Sequence, residues 1–198
     1  MTIVQIGACK GYDHVYNFVK DLTDNFLIIV EPMAFHQDDL ERCYSPVKQK
    51  NNVIQVPACI VPYEQTSKVT IYYSVNDAPE YQVASINKQH VLKHGYSESS
   101  IGQFSVTALT LDQLFAQYSI RALDYLFLDI EGIDAEVILA FDLNKYNIKN
   151  IQIEHLHLGN KTELVKQKFF DAGYHITGAI GGVGFDTLFT KNNNGKEN

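Results

Sequence analysis

Apolar residues fall along the 198-residue chain in short runs that alternate with stretches of helical spacing. Ile3-Val4-Gln5-Ile6 reads as a first strand and runs into the glycine turn Gly7-Ala8-Cys9-Lys10-Gly11. Val15, Phe18, Val19 and Leu22 then recur at helical intervals, which predicts a helix over Tyr12–Thr23. Phe26–Val30 is a second strand, ending at Glu31-Pro32. Phe35–Tyr44 has a polar face and an apolar face, and Val53–Val56 is a third strand. Strand and helix alternating in such short units imply right-handed crossovers and a parallel sheet.

The middle of the chain breaks this rhythm. Val69–Tyr73 and Phe104–Thr107 alternate like strands, but the segment from Ser74 to Gln103 between them is rich in Ser, His, Tyr and Asn. A connection of that length inside a compact domain is usually functional or mobile. Its Ser85, His90, His94, Tyr81 and Tyr96 would suit a lid over a polyol or nucleoside, and equally a solvated loop. The alternation then resumes. Thr110 is an N-cap for a helix over Leu111–Tyr118, Leu126–Asp129 is a strand, and Asp134–Phe141 is a helix. Ile151–Glu154 is a strand and Thr162–Ala172 a helix stopped by Gly173. Tyr174–Ile180 and Phe185–Thr190, joined by Gly181-Gly182-Val183-Gly184, form a hairpin and make the final pair antiparallel. The whole reads as a single α/β domain over residues 1–191, with an insert over about 74–103 and a frayed polar tail at 192–198.

The charge balance narrows the function. Sixteen Lys and Arg against 23 Asp and Glu leave a net charge of −7, which argues against a general binder of nucleic-acid backbone. No apolar run approaches a membrane span. The chain begins directly in a strand-like segment, with no signal-type apolar core. Cys9, Cys43 and Cys59 are odd in number and lack metal-type spacing, so they read as free thiols of a cytoplasmic protein.

Candidate chemistry gathers at strand ends, where open α/β sheets bind their ligands. The turn at Gly7, Ala8 and Gly11 lets backbone approach a ligand, although its G-x-x-x-G spacing is not the dinucleotide fingerprint. A tight packing turn is the plain alternative. Glu31 follows that turn by about twenty residues, where an acid can accept both hydroxyls of a ribose. The run Leu126-Phe127-Leu128 ends abruptly in Asp129-Ile130-Glu131-Gly132, and a carboxylate at a buried strand tip is costly without a partner. Glu131 also suits helix capping. At the next tip, Glu154-His155-Leu156-His157 would point both histidines to the same side if the strand continues, and it offers a general base in His155. It also offers a divalent-cation site made by Asp129, Glu154 and His155, or simply two loop histidines.

With those residues in view, the chain resembles the FkbM-type methyltransferases, which depend on S-adenosylmethionine. The likeness runs from Val4 to about His157. Val4-Gln5-Ile6-Gly7-Ala8-Cys9-Lys10-Gly11 is similar to the family's first motif, Val30-Glu31-Pro32 to its "v-E-P", and Thr110-Leu111-Asp112 to its "T-L-D". Ala58 falls where the family keeps an alanine, and Ala84-Ser85-Ile86 resembles a serine motif of its central loop. Leu126–Gly132 resembles "L-K-I-D-V-E-G", and Ile153-Glu154 its last such strand. Four positions depart: Gln5 stands where an acid is usual, Cys9 where Asn is usual, Phe127 where Lys is usual, and Asp134 where Glu is usual.

The resemblance implies a class I methyltransferase fold, a doubly wound Rossmann-like sheet of seven strands with an antiparallel last strand. It implies S-adenosylmethionine bound by Gly7, Ala8, Gly11, Glu31, Pro32, Ala58, Ser85 and Asp129. It implies catalysis through Asp129, His155 and Glu131, and an acceptor hydroxyl on a sugar or other small molecule. A divalent cation and the oligomeric state are left open. A methyltransferase scaffold that binds without turnover is the alternative, supported by Gln5 and Cys9. A nicotinamide oxidoreductase is disfavoured by the glycine spacing.

Overall fold

The computed structural model describes residues 1–64, 67–181 and 184–192. The first half of the chain contributes β1 (Thr2–Ile6), α1 (His14–Val19), β2 (Phe26–Val30), α2 (Gln37–Lys48), β3 (Asn52–Val56), β4 (Ala58–Ile60), β5 (Lys68–Ser74) and α3 (Lys88–Lys93). The second half contributes β6 (Ile101–Leu109), α4 (Leu111–Gln117), β7 (Ala122–Leu128), α5 (Asp134–Ala140), β8 (Asn147–Glu154), α6 (Thr162–Asp171), β9 (Tyr174–Gly178) and β10 (Asp186–Lys191). Seven of these strands make one sheet in the order β3-β2-β1-β7-β8-β10-β9. The first five run parallel, and β10 is antiparallel to both its neighbours. This is the expected class I methyltransferase architecture.

Helices cover both faces, so the central strands are largely apolar on both sides, with buried Gln5 and Gln152 as exceptions. On one face Val4, Ile28, Leu126 and Ile151 pack with Leu114 and Phe115 of α4, Ile138 of α5 and Phe169 of α6. On the other, Ile3, Leu27, Ile29 and Phe127 pack with Val15 and Val19 of α1 and Leu40, Tyr44 and Val47 of α2. Thr110 caps α4 with a reciprocal capping box, accepting from the Gln113 N–H at 3.2 Å while the Gln113 side chain accepts from the Thr110 N–H at 2.9 Å. No described helix is long and apolar enough to cross a membrane.

Three local readings change, and a second sheet appears. The first helix is shorter than Tyr12–Thr23: Asp13 Oδ1 accepts the Tyr16 N–H at 2.8 Å and fixes its start, and the polar segment after Val19 returns the chain to β2. α2 runs past Pro46 to Lys48, because Pro46 lies on the exposed side while Val47 is buried behind it. The 74–103 insert is not one long loop. It carries α3, and Ser85 is bridged to Tyr72 of β5 by two backbone hydrogen bonds of 2.8 and 2.9 Å. Finally, β5 and β6 do not join the main sheet. They form a second sheet with the short β4, in the order β4-β6-β5, around Met33, Cys59, Val61, Ile71 and Ala108. Pro57 cannot donate to a ladder, and it breaks β4 away from β3.

Phe115 is fully buried, with edge-on contacts to Phe141 and Tyr146 at centroid distances of 5.8 and 5.0 Å. Phe115→Ala should therefore cost about 3–5 kcal/mol. Urea denaturation should show a lower midpoint with an unchanged slope. An unmoved midpoint would show that α4 is not part of the cooperative core.

Candidate active site

The carboxyl ends of β1, β2 and β7 meet beside the small sheet around a cavity of about 300 Å³. At its floor β1 and β7 come into near contact. The Asp129 N–H donates to Ile6 O at 3.1 Å, and a Cβ placed on Gly7 would lie 1.6 Å from Asp129 O. Gly7 also has φ +81°, so both space and backbone demand glycine there. Gly11 serves a different end: a Cβ there would press on Leu40, Cys43 and Tyr44 of α2 at 3.0–3.2 Å, and the residue lies outside the cavity wall. Cys9 has φ +48°, a region in which asparagine is enriched, which accounts for the residue usual in the family at this position.

Glu31 organises the loops around the cavity. Its Oε2 accepts the Cys9 N–H at 2.8 Å and its Oε1 accepts the Met33 N–H at 2.8 Å, so one carboxylate ties the turn after β1 to the chain after β2. His36 Nδ1 stands 3.5 Å from Oε1. Burial of the His36 ring opposes its charge, but Cys9 and Glu31 beside it prevail and hold its pKa above the ordinary value. A carboxylate has about four acceptor sites, so Glu31 keeps capacity for a ligand diol. Pro32, Met33, Ala58, Cys59 and Ile60 continue the wall as a largely apolar surface, with Tyr81 from the insert. Burial pushes the Cys43 and Cys59 thiols up to about 12, which removes both as nucleophiles at neutral pH.

Asp129 lies one residue beyond β7. Burial raises its carboxyl to about 9, and the neighbouring charges of Glu154, Asp134, Glu131 and Asp186 add to the shift. Glu154 is raised to about 8 and Asp134 to about 7 by burial in the same cluster. Among the described residues Asp129 Oδ1 is buried without a hydrogen-bond partner, as are Asp134 Oδ2 and Glu154 Oε2. Asp134 Oδ1 accepts the Ile130 N–H at 3.0 Å and shapes the turn before α5. Glu131 does not cap that helix. It sits at φ +53°, its carbonyl accepts the Ser85 hydroxyl at 2.8 Å, and its carboxylate turns toward histidines.

Gln5, where an acid was expected, is spent internally. Its Oε1 accepts the Tyr44 hydroxyl at 2.8 Å and its Nε2 donates to Asp13 Oδ2 at 2.6 Å. Asp13 and His14 then present themselves in the cavity wall. Asp13 was missed as a site residue, although its N-cap position before an apolar helix was a readable signal. Met33 and His36 were also missed, because only the folded loops bring them to the wall, whereas Tyr81 of the insert reaches it as a lid residue would.

Of the residues proposed from sequence, Gly7, Glu31, Pro32, Ala58, Ser85, Asp129 and Glu131 line the cavity, while Ala8, Gly11 and His155 do not. β8 ends at Glu154, so His155 and His157 do not share a strand face. His155 Nδ1 pairs with the Thr187 hydroxyl of β10 at 2.9 Å, whereas His157 turns toward Glu131 at 3.7 Å. Asp129, Glu154 and His155 therefore do not converge as a ligand set.

Residues 5–176 match the family model described as the methyltransferase FkbM domain, and the chain belongs to that family. Family and sheet topology together define a methyltransferase of the class that uses S-adenosylmethionine. No curated protein matches the chain. Among solved structures it is similar to the Methanococcus jannaschii fibrillarin pre-rRNA processing protein, with 11% identity and TM-score 0.49, covering 96% of this chain and 66% of that one. It is also similar to the ribosomal protein L11 methylase of Lactobacillus delbrueckii subsp. bulgaricus, with 9% identity and TM-score 0.44, covering 96% and 70%. The present chain thus spans about two thirds of the fibrillarin's length, and likenesses this distant carry no argument about function.

An acid whose folded pKa exceeds its unfolded value destabilises the fold as pH rises from near 4 through about 9. Wild-type unfolding free energy should therefore fall between pH 5 and pH 8. Asp129→Asn, which cannot ionise, should fall less, gaining roughly 1–3 kcal/mol on wild type at the higher pH. Denaturant titrations at the two pH values check this, and parallel curves would mean that Asp129 is not held neutral.

Proposed function

We propose that this protein transfers a methyl group from S-adenosylmethionine to a hydroxyl of a small molecule or glycan. The observation that carries the reading is Asp129, a buried acid with an unpartnered oxygen in the wall of a cavity floored by a glycine turn. When bound, the cofactor supplies an electrophilic methyl group on a positively charged sulfur.

The residues present fit that group. Glu31 retains acceptor capacity for a ribose diol. The apolar wall at Met33, Ala58, Cys59 and Ile60 suits a flat base, with Pro32 beside it. The turn from Gly7 through Ala8 allows close backbone approach for the methionyl portion. Asp13 supplies an acidic group that position 5 lacks; burial raises its pKa, and an ammonium group beside it would favour its charged form. Ser85 acts at one remove, because its hydroxyl is committed to the Glu131 carbonyl.

Asp129 is neutral by itself and gains a reason to ionise when a cation arrives. In the ionised form its Oδ1 can take the proton of an acceptor hydroxyl. His155 lies outside the cavity, so Asp129 is the group we assign to proton transfer. Alignment of the two reactants against rigid strand ends contributes much of the remaining acceleration.

Two measurements test the reading. Calorimetric titration should show S-adenosylmethionine binding more tightly as pH rises from 6 to 9, with proton release into the buffer. S-adenosylhomocysteine, which lacks the sulfonium charge, should show less, and Asp129→Asn should show no such rise. In a hydroxyl-methylation assay Asp129→Asn should lose about 100-fold or more in kcat, in the range of general-base catalysis, whereas His155→Ala should retain most of it. Failure to bind either nucleoside would sink the cofactor assignment.

A further inference from the structure

At the edge of the cavity, three histidines outside its wall converge with Glu131 on a point between the insert and the strand ends. The ligating atoms of His90, His94, Glu131 and His157 all lie within 4.8 Å of one another. His90 Nε2 is 3.1 Å and His157 Nε2 is 3.7 Å from Glu131 Oε2. For a tetrahedral zinc ion with bonds of about 2.0–2.1 Å, neighbouring ligand atoms stand about 3.3–3.4 Å apart, so these spacings bracket the requirement. His90 and His94 are four residues apart at the end of α3 and present their rings to the same side, with centroids 4.8 Å apart. His157 closes the group edge-on at 4.9 Å from His90 and 5.4 Å from His94.

Hydrogen bonding accounts for one of these histidines and not for the other two. His90 pairs with Glu131, but the rings of His94 and His157 find no hydrogen bond among the described residues. Three clustered imidazoles repel one another as charged rings, and as neutral rings they gain only the modest attraction of edge-on contact. The seat is also built: a Cβ on Gly132 would lie 2.4 Å from His90 Nδ1, so Gly132 is what lets His90 reach Glu131. Glu131 itself holds a left-handed backbone, a conformation that costs energy and is kept in place by its surroundings.

We infer that His90, His94, His157 and Glu131 form a site for a first-row transition-metal dication, zinc being the best match. Imidazole-rich ligand sets favour such ions over magnesium or calcium. Four protein ligands would fill a tetrahedral shell and leave no position for substrate, the pattern of a structural ion. Its effect would be to clamp α3 of the insert onto the turns after β7 and β8. The clamp acts on the cavity through the Glu131 carbonyl, which holds Ser85 in the wall. The inference is independent of methyl transfer.

The test is zinc titration of the full-length protein after dialysis against chelator, followed by calorimetry. One equivalent should bind per chain and raise the melting temperature, with magnesium at the same concentration giving neither effect. His94→Ala and His157→Ala should each weaken zinc binding by more than about 100-fold, the upper range for residues that merely orient a ligand. Their melting curves without zinc should match wild type, since His94 is exposed and His157 only half-buried. As a second readout on unaltered protein, cobalt(II) should give the intense visible bands of tetrahedral coordination. Absence of stoichiometric zinc uptake, an octahedral cobalt spectrum, or wild-type affinity in both variants would overturn the inference.

Discussion

The structure is organised around an unfavourable act, the burial of several carboxyl groups beside one another at one edge of a sheet. Asp129, Glu154 and Asp134 all have raised pKa values for the same reason, withdrawal from water into a cluster of like charges. The apolar strands and the helices on both faces supply the stability that tolerates this. The cost is confined to the carboxyl ends of β7 and β8 and the start of α5, and it gives that edge a standing affinity for positive charge. A sulfonium beside Asp129 and a metal dication beside Glu131 would relieve the same excess from two sides. The two turn toward different neighbours because Ile130 is all that separates them and Glu131 adopts a left-handed backbone.

Around that edge, backbone geometry is fixed by a few contacts that leave little latitude. Gly7 and the Asp129 carbonyl approach so closely that no side chain fits between them. Glu31 then sets the course of two loops at once by accepting the amides of Cys9 and Met33. Loss of this carboxylate would release both loops, so its structural and ligand-binding roles cannot be separated by a simple deletion. Exchange to glutamine, which keeps one acceptor oxygen, discriminates better than alanine.

Much of the scaffold was legible because its signals are local. Continuous apolar runs mark the parallel strands, Thr110 marks the start of α4, and the glycine-rich link marks the last antiparallel pair, although residues 182 and 183 of that link lie outside the described residues, as do 193–198 of the polar tail. The smaller sheet was not legible. β4 has only three residues, and β5 and β6 pair with each other across a 26-residue separation that carries no periodic signal. The histidine cluster escaped for the same reason. His90 and His94 were visible as a pair, but His157 comes near them only because the chain turns away after Glu154 instead of continuing as a strand. Reading His155 and His157 as one strand face assumed a straight backbone that the fold does not keep.

The substitution at position 5 shows how charge and sequence position can come apart. Gln5 alone removes a negative charge from the end of β1, which would argue for a scaffold that no longer holds its cofactor. Yet its amide reaches Asp13, eight residues later, and that carboxylate stands in the cavity wall with burial and a helix start around it. Tyr44 satisfies the other end of the glutamine, so the arrangement is rigid. The charge has moved along the chain and stayed at the same edge. A departure from a family motif is therefore weak evidence of lost function until the neighbours of the altered residue have been inspected for a group that carries the missing charge.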